Sequence, residues 1–290
     1  MDTFVQLTVT GLANGAILAL AALGFAVIYK ATGVINFAQG QFLAVGAYLI
    51  FDAITRYGLH WSVAVAAAVG VAVLLGIAVE RLILRPLVGE SAVSVIMVTI
   101  GLSAVLQALL QIRFGVAPRR LPEFVPNDTI GILGAGVRAN RLWAIALAAV
   151  VLITFGVFFR RSKHGIAMRA VADDQQAALV MGISVRRIFA LAWALAAVSA
   201  VLGGLMVANI TGVSGEVANF GLLVFPVVIL GGLDSIPGTM VGGAIIGLLI
   251  SYTAGYVGGG WQQVIPYVVL VLILMVKPYG LFGQVRIERV

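Results

Sequence analysis

The sequence predicts an all-α polytopic membrane protein of about 8–9 transmembrane helices, some broken or folded back as hairpins. Three features predict it. Hydrophobic residues make up 62% of the 290 positions and charged residues 10%, whereas soluble domains carry about 25% charged residues. Uncharged runs long enough to cross a hydrocarbon layer of roughly 30 Å recur along the chain. The basic residues fall in the gaps between those runs, as in loops facing anionic lipid. The net charge of +7 is therefore a membrane-surface signal and does not indicate nucleic-acid binding. The chain has no cysteine, which excludes a disulfide framework and a thiolate metal site. His60 and His164 are too few and too far apart to suggest a metal centre. The first apolar run lacks a basic leader and is long enough to span, so no cleavable signal peptide is expected. Residues 1–290 read as a single transmembrane domain.

The elements follow in order. Residues 3–29 carry no charge, and Gly11, Gly15 and Gly24 give that span a face small enough for close helix contact. Lys30 ends it. Residues 31–51 are uncharged but contain Asn36, Gln39 and Gln41 beside Gly33 and Gly40. Amides at membrane depth need partners or water, so these face protein or a pathway. Two compatible roles stay open: satisfying broken backbone at a helix start, and lining a translocation path. Residues 57–79 form a third span, followed by Glu80, Arg81, Arg85 and Glu90, with Pro86 as breaker. Residues 91–112 form a fourth, whose Ser94, Thr99, Ser103, Gln107 and Gln111 read as a hydrogen-bonding seam. Residues 113–141 form a long loop kept from helix by Pro118, Pro122 and Pro126, with a short strand or hairpin over 129–137. Spans over 142–159 and 188–208 come next.

Residues 217–251 hold two apolar runs around Gly231, Gly232, Asp234, Pro237 and Gly238, the pattern of a helical hairpin or broken helices. Asp234 reads as a helix N-cap or turn former, with a substrate or ion ligand as the alternative. Residues 252–263 are glycine-rich, 264–276 complete the spans, and Lys277, Arg286 and Arg289 follow.

The stretch from Arg160 to Arg187 is the long polar interruption. It contains Arg160, Arg161, Lys163, Arg169, Arg186 and Arg187, six of the 18 basic residues, so it marks an inner loop. Asp173 and Asp174 precede a short apolar helix pattern at Ala177, Ala178, Val180 and Met181, one helix over 173–181, which Gly182 ends. The acidic pair, helical run and glycine stop point beyond an ordinary positive-inside loop to a docking element. With this loop and the C-terminus inside, the N-terminus and residues 113–141 lie outside, although that loop carries five basic residues; long loops translocate with less regard to charge. Gln39-Gly40-Gln41-Phe42 and Pro237-Gly238-Thr239-Met240 each open a helix rich in small residues, which allows a parallel internal repeat.

Three runs, GLANGAILALAALGFAVIYKATGVINFAQGQF, RAVADDQQAALVMGISVRRIFAL and VVILGGLDSIPGTMVGGAIIGLL, resemble the LivH-like permease subunits of branched-chain amino-acid ABC importers. The resemblance covers nearly the whole chain in order. It implies a multi-pass protein of the bacterial cytoplasmic (inner) membrane working with a second homologous permease, two ATP-binding subunits and an extracytoplasmic solute-binding protein. It also implies that the segment from Arg169 to Gly182 couples to an ATPase, through Arg169, Asp173, Asp174, Ala177, Ala178, Met181 and Gly182. The path or gate is assigned to Asn36, Gln39, Gln41, Asp234 and Pro237. No phosphate-binding GxxxxGK[ST] loop occurs, so the chain is not an enzyme, binds no cofactor, and ATP and magnesium belong to the partners. Many members carry histidine and glutamate where this chain has Gln39 and Gln41. The substrate is accordingly left between branched-chain amino acids and urea, amides or aromatic acids. A stand-alone channel or secondary carrier is the alternative; a carrier would need intramembrane acids, for which Asp234 is the candidate. An intramembrane enzyme would need a catalytic pair within spans.

Overall fold

The computed structural model describes residues 2–87, 90–122, 128–132 and 135–283. Pro126, Arg286 and Arg289 lie outside the described residues. Among the described residues the architecture is all-α apart from one small hairpin, and six helices are long and apolar enough to cross a membrane: α1 (Asp2–Thr32), α3 (Trp61–Val79, continued to Leu87), α4 (Ala92–Phe114), α5 (Ala139–Arg161), α8 (Val185–Thr211) and α10 (Ile236–Tyr252, continued to Val257). Three shorter ones, α2 (Gln39–Thr55), α9 (Phe220–Gly231) and α11 (Ile265–Val276), complete the bundle. Two helices outside this set, α6 (Lys163–Asp173) and α7 (Gln175–Val180), form an angular hairpin between α5 and α8.

α1 is the axis of the molecule. At 31 residues and about 1.5 Å per residue it is longer than a hydrocarbon layer of roughly 30 Å. From Gly11 to Ile28 it is mostly buried, packed against α10, α8, α5 and α9. The small face predicted for it holds at Gly11 and Gly15, whereas Gly24 turns the other way, onto Gln39 and Ser199. Gly11 and Gly15 cross Gly243 and Gly247 of α10, so two GxxxG segments lie backbone to backbone. A Cβ on Gly15 would sit 2.5 Å from the Gly243 carbonyl, and one on Gly11 2.8 Å from the Leu248 Cα. Hydrocarbon supplies no hydrophobic drive between helices, so such close packing and buried hydrogen bonds hold them together. Ser251 Oγ donates to the Leu7 carbonyl at 2.7 Å, and the Thr8 and Tyr252 hydroxyls lie 2.8 Å apart. Where α1 meets α9, Phe25 and Phe225 pack edge to face at 5.3 Å.

α8 is the second buried helix and carries α2 and α3 on its flank. Gly46 and Gly204 allow that contact; a Cβ on Gly46 would lie 2.6 Å from the Val201 Cα. α4 leans on α2 and leaves Met97, Val105, Leu109 and Ile112 exposed, a face suited to lipid or to another subunit. Of the polar stripe expected on α4, Thr99 is fully buried, whereas Gln107 and Gln111 are exposed. The stripe drifts around the helix, and its N-terminal part, Ser94 to Ser103, is the part that is buried or half-buried.

Several boundaries differ from expectation. The second span does not begin at residue 31: residues 33–38 are non-helical or turn, and α2 starts at Gln39. Gly33 takes φ +69°, which glycine adopts without strain. α3 runs on through a π-helical turn, Glu80–Leu84, and a 3-10 turn, Arg85–Leu87. β1 (Thr129–Ile132) and β2 (Ala135–Arg138) pair antiparallel as the predicted hairpin. The loop before them is stitched to the α8–α9 connection by a bridge between Arg119 and Val213, 2.8 and 2.7 Å. The 217–251 stretch is the helical hairpin expected: α9 and α10 pack against each other at Gly231 and Gly238. α10 is capped by Ser235, whose Oγ accepts from the Gly238 amide at 3.0 Å, not by Asp234. Asp234 is the turn former of the two roles open to it, and Pro237 occupies the first turn of α10, where a missing N–H costs nothing.

Candidate functional site

The break between α1 and α2 is built from buried amides. Asn36 Oδ1 accepts from the Ala38 amide at 3.0 Å, and its Nδ2 donates to Gln39 Oε1 at 3.3 Å. Gln39 Nε2 in turn donates to the Ala21 carbonyl on α1 at 3.3 Å. Thr99 of α4 accepts from the Phe37 amide at 3.3 Å. Its hydroxyl lies 3.3 Å from the Ile35 carbonyl and 2.9 Å from that of Ile96. Asn36, Gln39 and Gln41 are all buried. Gly24 makes the room: a side chain there would collide with Gln39 and with Ser199 Oγ. At the other side of the break Gly40 and Gly221 touch backbone to backbone. Asn36 therefore satisfies unwound backbone at Ala38, and Gln39 ties the break to α1.

The other two path candidates lie apart from these. Asp234 and Pro237 line a cavity of about 560 Å³ with Lys30, Arg160, Arg169 and Met240. Lys30 Nζ donates to the Asp234 main-chain carbonyl at 3.0 Å. The chain thus places its five path candidates in two groups, one a seam of buried amides and one a cation-lined recess.

The coupling candidates resolve into a shaped element. The helix expected over 173–181 is α7, Gln175–Val180, and a further helix, α6, precedes it. Ser162 caps α6 by accepting from Gly165 at 2.9 Å, and Gly165 presses on the Phe158–Phe159 backbone of α5. Arg169 is half-buried and donates to the Phe159 carbonyl at 2.8 Å, so it fastens α6 to α5. Asp174 is extended (φ −154°), breaks the helix, and caps α7 by accepting from the Gln176 and Ala177 amides at 2.8 and 3.0 Å. Ala178 is buried and anchors α7, while Asp173, Asp174 and Ala177 are exposed. Gly182 follows at φ +80° and closes the helix as predicted. The tip is apolar and bare: Leu179 is 52% exposed, Val180 87% and Met181 80%. Leu179 was not among the sequence candidates. Its signal was present, since an aspartate cap followed by an LVMG run places apolar side chains at a short helix end.

Sequence-wide, the fold is that of a multi-pass membrane protein with a polar helical hairpin at one end of the bundle. A profile of the family described as "Branched-chain amino acid transport system / permease component" matches residues 7–274. The chain belongs to that family. It is 32% identical to the high-affinity branched-chain amino acid transport system permease protein BraD of Pseudomonas aeruginosa, covering 99% of this chain and 98% of the relative. Identity to the LivH permease protein of Escherichia coli is 29% over the same shares. A probable LivH permease of Methanocaldococcus jannaschii is 29% identical over 92% of this chain and 89% of its own length. Among solved structures, PsaBC from Streptococcus pneumoniae in complex with Fab shares the fold with a TM-score of 0.51 and 12% identity, covering 95% of this chain and 92% of that one.

Proposed function

We propose that this chain is the membrane-spanning permease subunit of an ATP-binding-cassette importer that moves branched-chain amino acids, or a related small organic solute, by alternating access. The observation that carries the reading is the bare apolar tip of α7, Leu179 to Met181, held on a capped and anchored hairpin. A rigid helix end with exposed apolar side chains beside two carboxylates is costly in isolation and suits insertion into a cleft of another protein. The partner is an ATPase dimer, whose closure pushes α7 and, through α6, the ends of α5 and α1. ATP and magnesium sit on those subunits. A second homologous permease covers exposed apolar helix faces, and an extracytoplasmic binding protein delivers solute. The hairpin end carries Lys30, Arg81, Arg85, Arg160, Arg161 and Lys163 and faces the cytoplasm; the N-terminus is outside. Asn36, Gln39 and Gln41 act as a packed hinge for the gate, and Asp234 and Pro237 open the helix beside it. Residues 1–290 act as one domain.

A stand-alone carrier is less well supported. Among the described residues the fully buried carboxylate is Glu80, closed in an ion pair with Arg85 at 2.7 Å, and Asp234, the acid a carrier would use, sits in the turn before α10 and not within a span. The test is purification of the tagged chain from native membranes with identification of the co-purifying proteins. Recovery of ATPases and a second permease supports the reading; a homo-oligomer alone that transports solute in liposomes sinks it.

A further inference from the structure

At the end of the bundle opposite α6 and α7 lies a second cavity, of about 730 Å³, within the range of about 300–1,000 Å³ typical of small-molecule sites. The N-terminal half of α1 and the ends of α5, α8, α9, α10 and α11 converge on it. It shares no lining residue with the recess around Asp234 or the seam around Asn36. Arg141 is the one charged side chain in its wall.

The position of Arg141 is unfavourable for a cation, and its one bond, to α1, uses little of its donor capacity. It sits in the first turn of α5, where the helix dipole disfavours a cation. It is half-buried, and its recorded bond runs to a neutral group, Nη1 donating to the Thr10 hydroxyl. Neither of the two ion pairs among the described residues involves it. A guanidinium has five donors in a planar fork, and one neutral acceptor leaves most of them unused. The rest of the wall is of two kinds. Asn14, Asn219 and Gln262 offer uncharged amides, and Leu18, Leu223 and Ile250 supply apolar surface. Among the described residues the wall contains no aspartate or glutamate, so it suits an anion or a zwitterion and not a free cation.

We propose that this cavity binds a small organic solute through its carboxylate, with Arg141 pairing to the carboxylate in bidentate fashion and the leucine and isoleucine side chains receiving an apolar body. Bidentate carboxylate pairing is the geometry in which arginine outperforms other cations. The proposal rests on the importer reading and narrows it: the transported solute carries a carboxylate, and neutral urea or a short neutral amide does not meet the demand of the site.

The experiment uses the wild-type chain purified with its native partners. Phenylglyoxal modifies exposed guanidinium groups, and peptide mass spectrometry follows Arg141 individually. L-Leucine and 4-methylpentanoate are expected to slow modification of Arg141 several-fold, while L-leucinamide and urea leave it unchanged. Equal protection by all four compounds, or by none, overturns the proposal. Recovery of ATPases without carboxylate protection discards the site and keeps the importer reading; protection without ATPases does the reverse. In the complete assembly, Arg141→Gln is expected to lower L-leucine uptake about tenfold, the loss of one charge-assisted pairing, with Arg141→Lys intermediate. Wild-type uptake by Arg141→Gln, at normal yield of the assembly, also overturns it.

Discussion

The Lys30 ammonium donates to the main-chain carbonyl of Asp234 at 3.0 Å, tying the end of the axial helix α1 to the turn that opens α10. Because the acceptor is backbone, the contact depends on Lys30 and not on the identity of residue 234. Lys30→Met is expected to destabilise by about 1 kcal/mol, a charge-assisted bond discounted for its half-exposed setting. Asp234→Asn should leave that contact intact. Thermal melting of the two purified variants checks this. If solute uptake by Asp234→Asn also stays at the wild-type level, Asp234 is a turn residue alone and its place on the path is lost.

The α1–α10 crossing should be intolerant of any side chain. Gly247→Val would drive a branched carbon into the Gly11 and Gly15 backbone, and over-packing of this kind costs about 1–3 kcal/mol or more. Gly70→Val is the control, since nothing lies within 4 Å of its Cβ position. The yield of folded protein after detergent extraction should fall for the first and not for the second. Equal yields would mean that the crossing can open, contrary to the close packing assigned to it.

The contrast between these glycines also shows what the sequence discloses. Gly11 and Gly15 were legible as a small face because their four-residue spacing puts them together, whereas Gly24, thirteen residues on from Gly11, falls on the opposite side of the helix and meets Gln39 and Ser199. The partner face could not be read, since Gly243 and Gly247 lie more than 200 residues away and meet them only through tertiary folding. The polar loop was legible through composition, and Gly182 as a stop through glycine's access to positive φ. α6 was hidden because KHGIAMRAVAD lacks a long apolar stripe; its stability comes from the Ser162 cap and the Arg169 bond to α5. The cavity around Arg141 was also hidden, since five helix ends and the body of α1, from across the chain, form it.

The amides at the α1–α2 break should separate by their bonding. Asn36 makes two hydrogen bonds in a buried site, so Asn36→Ala strands the Ala38 amide and Gln39 Oε1 and should cost about 1–3 kcal/mol. Gln41 is buried too, yet no protein partner fixes its role as firmly. If it lines the path, Gln41→Ala changes uptake or substrate preference with little change in melting temperature. Should Gln41→Ala leave both uptake and preference untouched, Gln41 is packing alone and its part in the gate is withdrawn.

The tip of α7 offers the sharpest separation of folding from docking. Gly182 sits at φ +80°, and a β-branched residue there strains the backbone by about 1–2 kcal/mol or more. Gly182→Val should therefore unwind the end of α7, leave membrane insertion intact and weaken recovery of the ATPases. Val180→Asp makes a different change at the same place. Val180 is 87% exposed, so the substitution costs the isolated chain little, but it puts a charge into any apolar cleft that receives the tip. Both variants should lose ATPase co-purification, whereas Gly182→Val alone should lower thermal stability. Normal co-purification and ATP hydrolysis with Val180→Asp would mean that the apolar tip is not the docking surface, and would remove the observation on which the importer mechanism chiefly rests.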